Sequence, residues 1–288
     1  MTGNDPASRD LSRPTTMNNN TLSISSLIGL LGPPRSGTTL IANAMASHSS
    51  VAGLLEPYQS RRSSGYQVTE VSGLVNDFNL SLDGKRHLLV KETTTRRINV
   101  THTLSVLESA RRSGLYAGIV VILRCPFSAY LSQVEASEKF WKEKKLLGVN
   151  ESTFASFASG IRTGLLEVAR KAKSYHFRLV SYEAFVASPA NELSRLMALL
   201  PERLERKEQL AFRPPGDISG AGDPKVWTKS GGLSSSDRGE QILQLKDQFR
   251  DMPEFVFMDK LRNLIVECVC TESDEVVLDE LTLLLLKA

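Results

Sequence analysis

Residues 27–41, LIGLLGPPRSGTTLI, run from an apolar stretch into a turn bounded by Gly32 and Gly37 and then into a row of hydroxyls. That pattern predicts a buried strand, a tight loop and a helix opening at Thr38. The Gly32-to-Gly37 spacing fits the first part of the phosphate-loop motif G-x-x-x-x-G-K-[ST]. Thr38, however, stands where a nucleoside triphosphatase places the lysine that reaches the β- and γ-phosphates. What remains is an anion cradle. The backbone N–H groups of Ser36, Gly37, Thr38 and Thr39 fall at a helix N-terminus, where orphan donors and the helix dipole both favour negative charge. Arg35 adds a planar, permanently charged fork. A loop so built suits a nucleotide whose 5′-phosphate carries one further small oxyanion.

Working outward, the run Pro34-Arg35-Ser36-Gly37-Thr38-Thr39 resembles the 5′-phosphosulfate loop of sulfotransferases that use 3′-phosphoadenosine 5′-phosphosulfate (PAPS). Residues 117–132, AGIVVILRCPFSAYLS, resemble the family's 3′-phosphate segment, a buried strand ending in Arg, a Pro turn and a helix with Ser eight residues after the Arg. Arg124 and Ser132 occupy those positions. An Arg at the carboxyl end of a parallel strand and a hydroxyl on the next helix can meet one phosphate at the sheet's ligand crevice. Residues 177–189, FRLVSYEAFVASP, resemble the family's Tyr-Glu strand end, which implies that Tyr182 lies beside the adenine. Residues 222–233, GDPKVWTKSGGL, resemble the loop that covers the nucleotide, which implies Lys229, Ser230 and Gly231 as phosphate donors. A Gly/Ser-rich loop without a ligand is the other reading of that last segment.

The general base needs separate argument. Cytosolic small-molecule members of the family commonly carry a histidine in a Lys-Thr-His run, whereas this chain reads Lys91-Glu92-Thr93. In that respect it is closer to bacterial and protein-tyrosine members, whose base is a glutamate. Glu56, in SVAGLLEPY, lies 21 residues after Arg35 and matches that glutamate. A carboxylate beside the sulfate can take the proton of an attacking hydroxyl or amine; Glu92 is the second candidate. Lys91 matches the lysine that faces the bridging oxygen and offsets charge on the leaving phosphate.

Composition bounds the rest. A chain of 288 residues with 41% hydrophobic residues can bury a substantial core. A formal net charge of +3 does not argue for nucleic acid. Three cysteines, Cys125, Cys268 and Cys270, cannot complete a disulfide framework, so a reducing cytoplasm is the expected compartment. Residues 1–22 are polar and read as a disordered tail, with 23–288 as a single domain. No run reaches the roughly 18 apolar residues of a membrane span.

Short apolar runs alternating with helical patterns predict an α/β three-layer sandwich around a mainly parallel sheet. Strands are expected at 27–31, 51–54, 87–91, 118–123 and 177–180. Helices are expected from Thr38, Thr101, Phe127, Thr153 through Lys171, Asn191, and Asp237 to the C-terminus. Residues 214–236 read as a long loop of the binding-element kind, and Tyr58, Tyr66, Phe140 and Trp141 equally as a wall for an acceptor ring or as core. The resemblance implies a sulfotransferase moving the sulfuryl group of PAPS to a hydroxyl or amine of a small molecule. It requires no metal, membrane or nucleic acid, and a homodimer is compatible with it. An ATP-dependent small-molecule kinase and a non-catalytic nucleotide-binding protein are the rival readings.

Overall fold

A computed structural model describes residues 23–60, 65–141, 148–201, 218–220, 238–267 and 273–287. Its centre is a parallel sheet of β1 (Ser26–Gly32), β2 (Val51–Leu55), β3 (His87–Thr93), β4 (Tyr116–Leu123), β5 (His176–Ser181) and the short β6 (Ile218–Gly220), in the order β5-β4-β1-β3-β2-β6. Every pairing between these strands is parallel. All five expected strands are present, each within three residues of its predicted bounds. β1 and β2 are buried along their whole length, as strands covered by helices on both faces must be.

The alternation of side chains along each strand sorts the core into two layers. Leu27, Leu31, Val90, Ile119, Val121 and Leu123 face one side, where they meet α4 (Arg97–Arg112), α5 (Pro126–Ala136) and α6 (Glu151–Ala172). Ile28, Leu30, Leu89, Val120 and Ile122 face the other, where α1 (Thr38–Ala46) and α8 (Pro189–Met197) cover them. Each such side chain, fully removed from water, contributes roughly 1.5–3 kcal/mol before the entropy of ordering is counted. α6 starts where the sequence provides a cap: the Asn150 side chain accepts from Thr153 N, and Thr153 Oγ1 accepts from Asn150 N.

Several expectations need correction. The helix expected from Thr101 begins at Arg97. The C-terminal helix expected from Asp237 is three helices, α9 (Gly239–Phe249), α10 (Pro253–Glu267) and α11 (Asp274–Lys287), with Pro253 opening the second. The long loop at 214–236 contains β6, and its other residues, including Lys229, Ser230 and Gly231, lie outside the described residues. The expected tail at 1–22 lies outside them too. Short helices α2 (Pro57–Ser60), α3 (Val71–Asp77) and α7 (Tyr182–Ala187) fill stretches read as loop or strand end. Among the described residues, no helix is long and apolar enough to cross a membrane.

Candidate active site

β1 pairs with β3 on one side and β4 on the other, so the chain changes direction across the sheet between β1 and β4. In an open parallel sheet, the crevice at such a reversal, beyond the carboxyl ends of the strands, is where ligands bind. Arg35 follows β1, Glu56 follows β2, Lys91 and Glu92 lie in the last half of β3, Arg124 follows β4 and Tyr182 follows β5. The candidate residues that the structure describes thus share one edge.

The loop after β1 is held in a strained shape. Arg35 has φ +64° and Gly37 has φ +84°. A Cβ at Gly32 would lie 2.6 Å from the Ile122 carbonyl, and one at Gly37 would run into the Tyr182 ring, so both sites require glycine. Ser36 Oγ donates to the Pro33 carbonyl at 2.6 Å, which tightens the turn. α1 then opens at Thr38, its axis starting from the loop.

Arg35 and Arg124 are tied together. Arg124 Nη1 donates to the Arg35 carbonyl at 2.8 Å, and Arg35 Nε donates to Ser132 Oγ on α5 at 3.2 Å. Ser132 Oγ receives Arg35, so loop, strand end and helix form one unit. The Arg124 guanidinium carbon sits 4.4 Å from the centre of the Tyr182 ring, within the range of a cation–π contact. Tyr182 starts α7, and its ring wedges between Gly37 and Arg124.

Two residues of this corner escaped the sequence reading. Arg238, just before α9, donates to Glu135 of α5 at 2.9 Å and is close enough to act on Arg124. Burial, followed by the charges of Arg238 and Arg35, holds the Arg124 guanidinium below its ordinary pKa, against the opposing pull of Tyr182 and Glu183. Glu183 receives Cys125 N at 3.1 Å and Ser181 Oγ at 3.1 Å. Arg124 Nε is buried and has no hydrogen-bond acceptor among the described residues. A buried donor left orphaned costs about 1–3 kcal/mol, so a corner with three guanidiniums and this orphan fits a phosphate-sized anion. An arginine at the start of a helix that follows a Gly/Ser-rich stretch was the one signal for Arg238.

Two strands away lies a second cluster. Leu55 pairs with Lys91 in the sheet register, which brings the next residue, Glu56, beside that lysine. Lys91 Nζ forms an ion pair with Glu56 Oε1; the lysine is 1% exposed and the glutamate 18%. Glu56 takes φ +50°, and its amide donates to the Lys91 carbonyl at 2.7 Å. Neighbouring strand residues point to opposite faces. Lys91 therefore looks toward the α1 side and Glu92 toward the α4 side. Fully buried, Glu92 accepts from Tyr58 N at 2.7 Å, Gln59 N at 3.3 Å and Asn99 Nδ2 at 3.5 Å. Burial first, and then the Glu56 charge, push its carboxyl up to about 8, although Lys91 and the two backbone donors pull the other way.

Of the four aromatics read as either acceptor wall or core, the side chains of Phe140 and Trp141 lie outside the described residues. Tyr58 is 2% exposed, donates its hydroxyl to the Val68 carbonyl at 2.7 Å and packs 5.1 Å from the His102 ring; it is core. Tyr66 is half-buried, 5.7 Å from Tyr58.

No family model matches the chain, and no curated protein does. Among solved structures it is similar to the sulfotransferase domain of the Synechococcus PCC 7002 olefin synthase, at 15% identity and TM-score 0.46 over 90% of this chain and 94% of that one. It is also similar to a mouse sulfotransferase complexed with PAP, at 12% identity and TM-score 0.47 over 82% and 88%. A third is the sulfotransferase domain of the curacin biosynthetic pathway, at 17% identity and TM-score 0.46 over 69% and 81%.

Proposed function

We propose that the chain is a sulfotransferase that takes the sulfuryl group from PAPS and passes it to a hydroxyl or amine of a small molecule. The observation that carries this reading is the joining, at one sheet edge, of an anion corner and a lysine–carboxylate pair. The corner is made of Arg35, Arg124 and the N-terminus of α1, with Arg124 Nε lacking an acceptor among the described residues. The pair is Lys91 and Glu56.

In this reading the donor supplies an activated sulfur already bonded to a phosphate oxygen. Amides of residues 36–39 and Arg35 hold the 5′ end. Arg124, with Ser132 behind it on the shared Arg35 link, holds the 3′-phosphate. Tyr182 contributes the edge beside the base, and Lys229, Ser230 and Gly231 are proposed to close over the phosphates. Glu56 takes the proton from the acceptor as its oxygen or nitrogen bonds to sulfur. Lys91 turns from Glu56 to the bridging oxygen as the sulfur–oxygen bond breaks, stabilising the charge that collects there. Adenosine 3′,5′-bisphosphate and the sulfated acceptor are the products, and proton and charge balance. Thr38 in place of a lysine leaves nothing in the loop to handle a γ-phosphoryl group.

Thermal unfolding of the full chain with adenosine 3′,5′-bisphosphate, with ATP and magnesium, and with neither tests the reading. A ligand at 100 times its dissociation constant adds about 2.7 kcal/mol, enough to raise the midpoint by several degrees. Stabilisation by the bisphosphate is expected. Stabilisation by ATP and magnesium alone would move the chain to the kinases.

A further inference from the structure

We infer that Glu92 is a positioning residue: its buried carboxyl clamps the backbone that follows Glu56 and so fixes the Glu56 carboxylate against Lys91. This deepens the reading above and rests on it for the role of Glu56, though not for the clamp itself.

Glu56 needs such a clamp. A non-glycine residue at φ +50° is strained, and strained backbone persists only where its surroundings over-determine it. Two restraints act from β3. The Lys91 carbonyl receives the Glu56 amide, and the Glu92 side chain receives the amides of Tyr58 and Gln59, two and three residues further on. The second oxygen of Glu92 reaches Asn99 on α4, and Asn99 Nδ2 also lies 3.4 Å from Gln59 Oε1. The turn bearing Glu56 is thereby pinned to both the sheet and the helix layer. Glu92 itself is fully buried on the α4 side, on the opposite face of β3 from Lys91, so it acts through the backbone.

Glu92 lies among Tyr58 and Gln59 from α2, with the Tyr58 ring packed on His102, and Asn99 from α4, and it feels the charges of Glu56 and Lys91 at the strand ends. Because Glu92 holds its proton up to about 8, a neutral Gln at this position keeps both the shape and the acceptor oxygen.

The test compares Glu92→Ala with Glu92→Gln in the full chain. Glu92→Ala should lower kcat roughly 10- to 100-fold, as expected when a reacting group is displaced. The donor KM and the stabilisation by adenosine 3′,5′-bisphosphate should stay as in the wild type. Glu92→Gln should restore kcat to within about fivefold, the scale of one altered neutral hydrogen bond. Equal losses in Glu92→Gln and Glu56→Gln would make Glu92 the base and overturn the inference; unchanged kcat in Glu92→Ala would overturn it as well. Hydrogen exchange gives a second readout that needs no turnover. The Glu56 and Ser60 amides should exchange faster in Glu92→Ala but not in Glu92→Gln, with the Ile41 amide in α1 unchanged in both. If no sulfuryl transfer is found with any acceptor, the functional reading fails, and the exchange data still decide the clamp.

Discussion

The two ends of the candidate site are built on opposite electrostatic plans. At the β1/β4 crevice, guanidiniums from Arg35, Arg124 and Arg238 gather beside a helix N-terminus, and one buried Arg124 nitrogen has no acceptor among the described residues. At the ends of β2 and β3, Glu56 pairs with the buried Lys91, and Glu92, on the opposite face of β3, accepts from the amides of Tyr58 and Gln59. A corner with surplus positive charge is preorganised to receive an anion. A corner with its charges already paired is preorganised to hold a proton acceptor still, and to release it when the lysine finds another partner. Removing a charge should therefore weaken binding at the first end and turnover at the second.

The largest effect tests that separation. Glu56→Gln removes the proton acceptor while preserving size, so turnover should fall roughly 10²- to 10⁴-fold, with binding of adenosine 3′,5′-bisphosphate nearly unchanged by calorimetry. If binding and turnover fell together, the two ends would be one functional unit and the contrast would be wrong. Arg124→Ala is the mirror experiment. It deletes a charge-assisted contact worth roughly 1.5–3 kcal/mol and also releases the Arg35 carbonyl and the face of Tyr182. Bisphosphate affinity should drop about 10- to 100-fold. Equal affinities of the variant and the wild type for the bisphosphate would remove Arg124 from the 3′-phosphate.

The same contrast explains how much was legible in the sequence. The anion end is largely local: residues 32–39 form one loop and helix start, and Arg124 and Ser132 are joined by a single strand–helix turn. Spacing exposes the loop, and the family resemblance picks out Arg124 and Ser132. The strands were legible because each is an apolar run flanked by polar breaks, and two-sided burial demands that composition. The carboxylate end depends on register. Only the pairing of Leu55 with Lys91 sets Glu56 beside the lysine, and only the packing of α4 on β3 brings Asn99 to Glu92. No short-range pattern encodes either. α7 was a different kind of miss. Ser181 caps it by accepting from Ala184 N, a helix-start signal passed over when Tyr182-Glu183 was read as a strand end. Tyr58 stayed open between wall and core because an aromatic beside a candidate base looks the same in sequence whether it faces a substrate or the core.

The smallest effect is a slope, and it sharpens the carboxylate side of the comparison. Glu92 titrates near 8 when folded, against about 4.5 as the ordinary value. Between those two limits the folded state holds a proton that the unfolded chain has lost. A carboxyl raised by burial therefore stabilises fully below about 4.5, and that contribution drains away as pH rises through 8. The limiting slope is about 1.4 kcal/mol per pH unit. Denaturant unfolding of the wild type and of Glu92→Gln, measured at intervals across that window, isolates the group, because other titrating residues cancel in the difference. The wild type should lose stability relative to Glu92→Gln as pH rises. Parallel curves would mean that Glu92 is ionised in the folded protein at neutral pH, balanced by Lys91 and the two backbone amides. The lysine would then answer to two charged carboxylates, and Glu56 would be less tightly held than its geometry indicates.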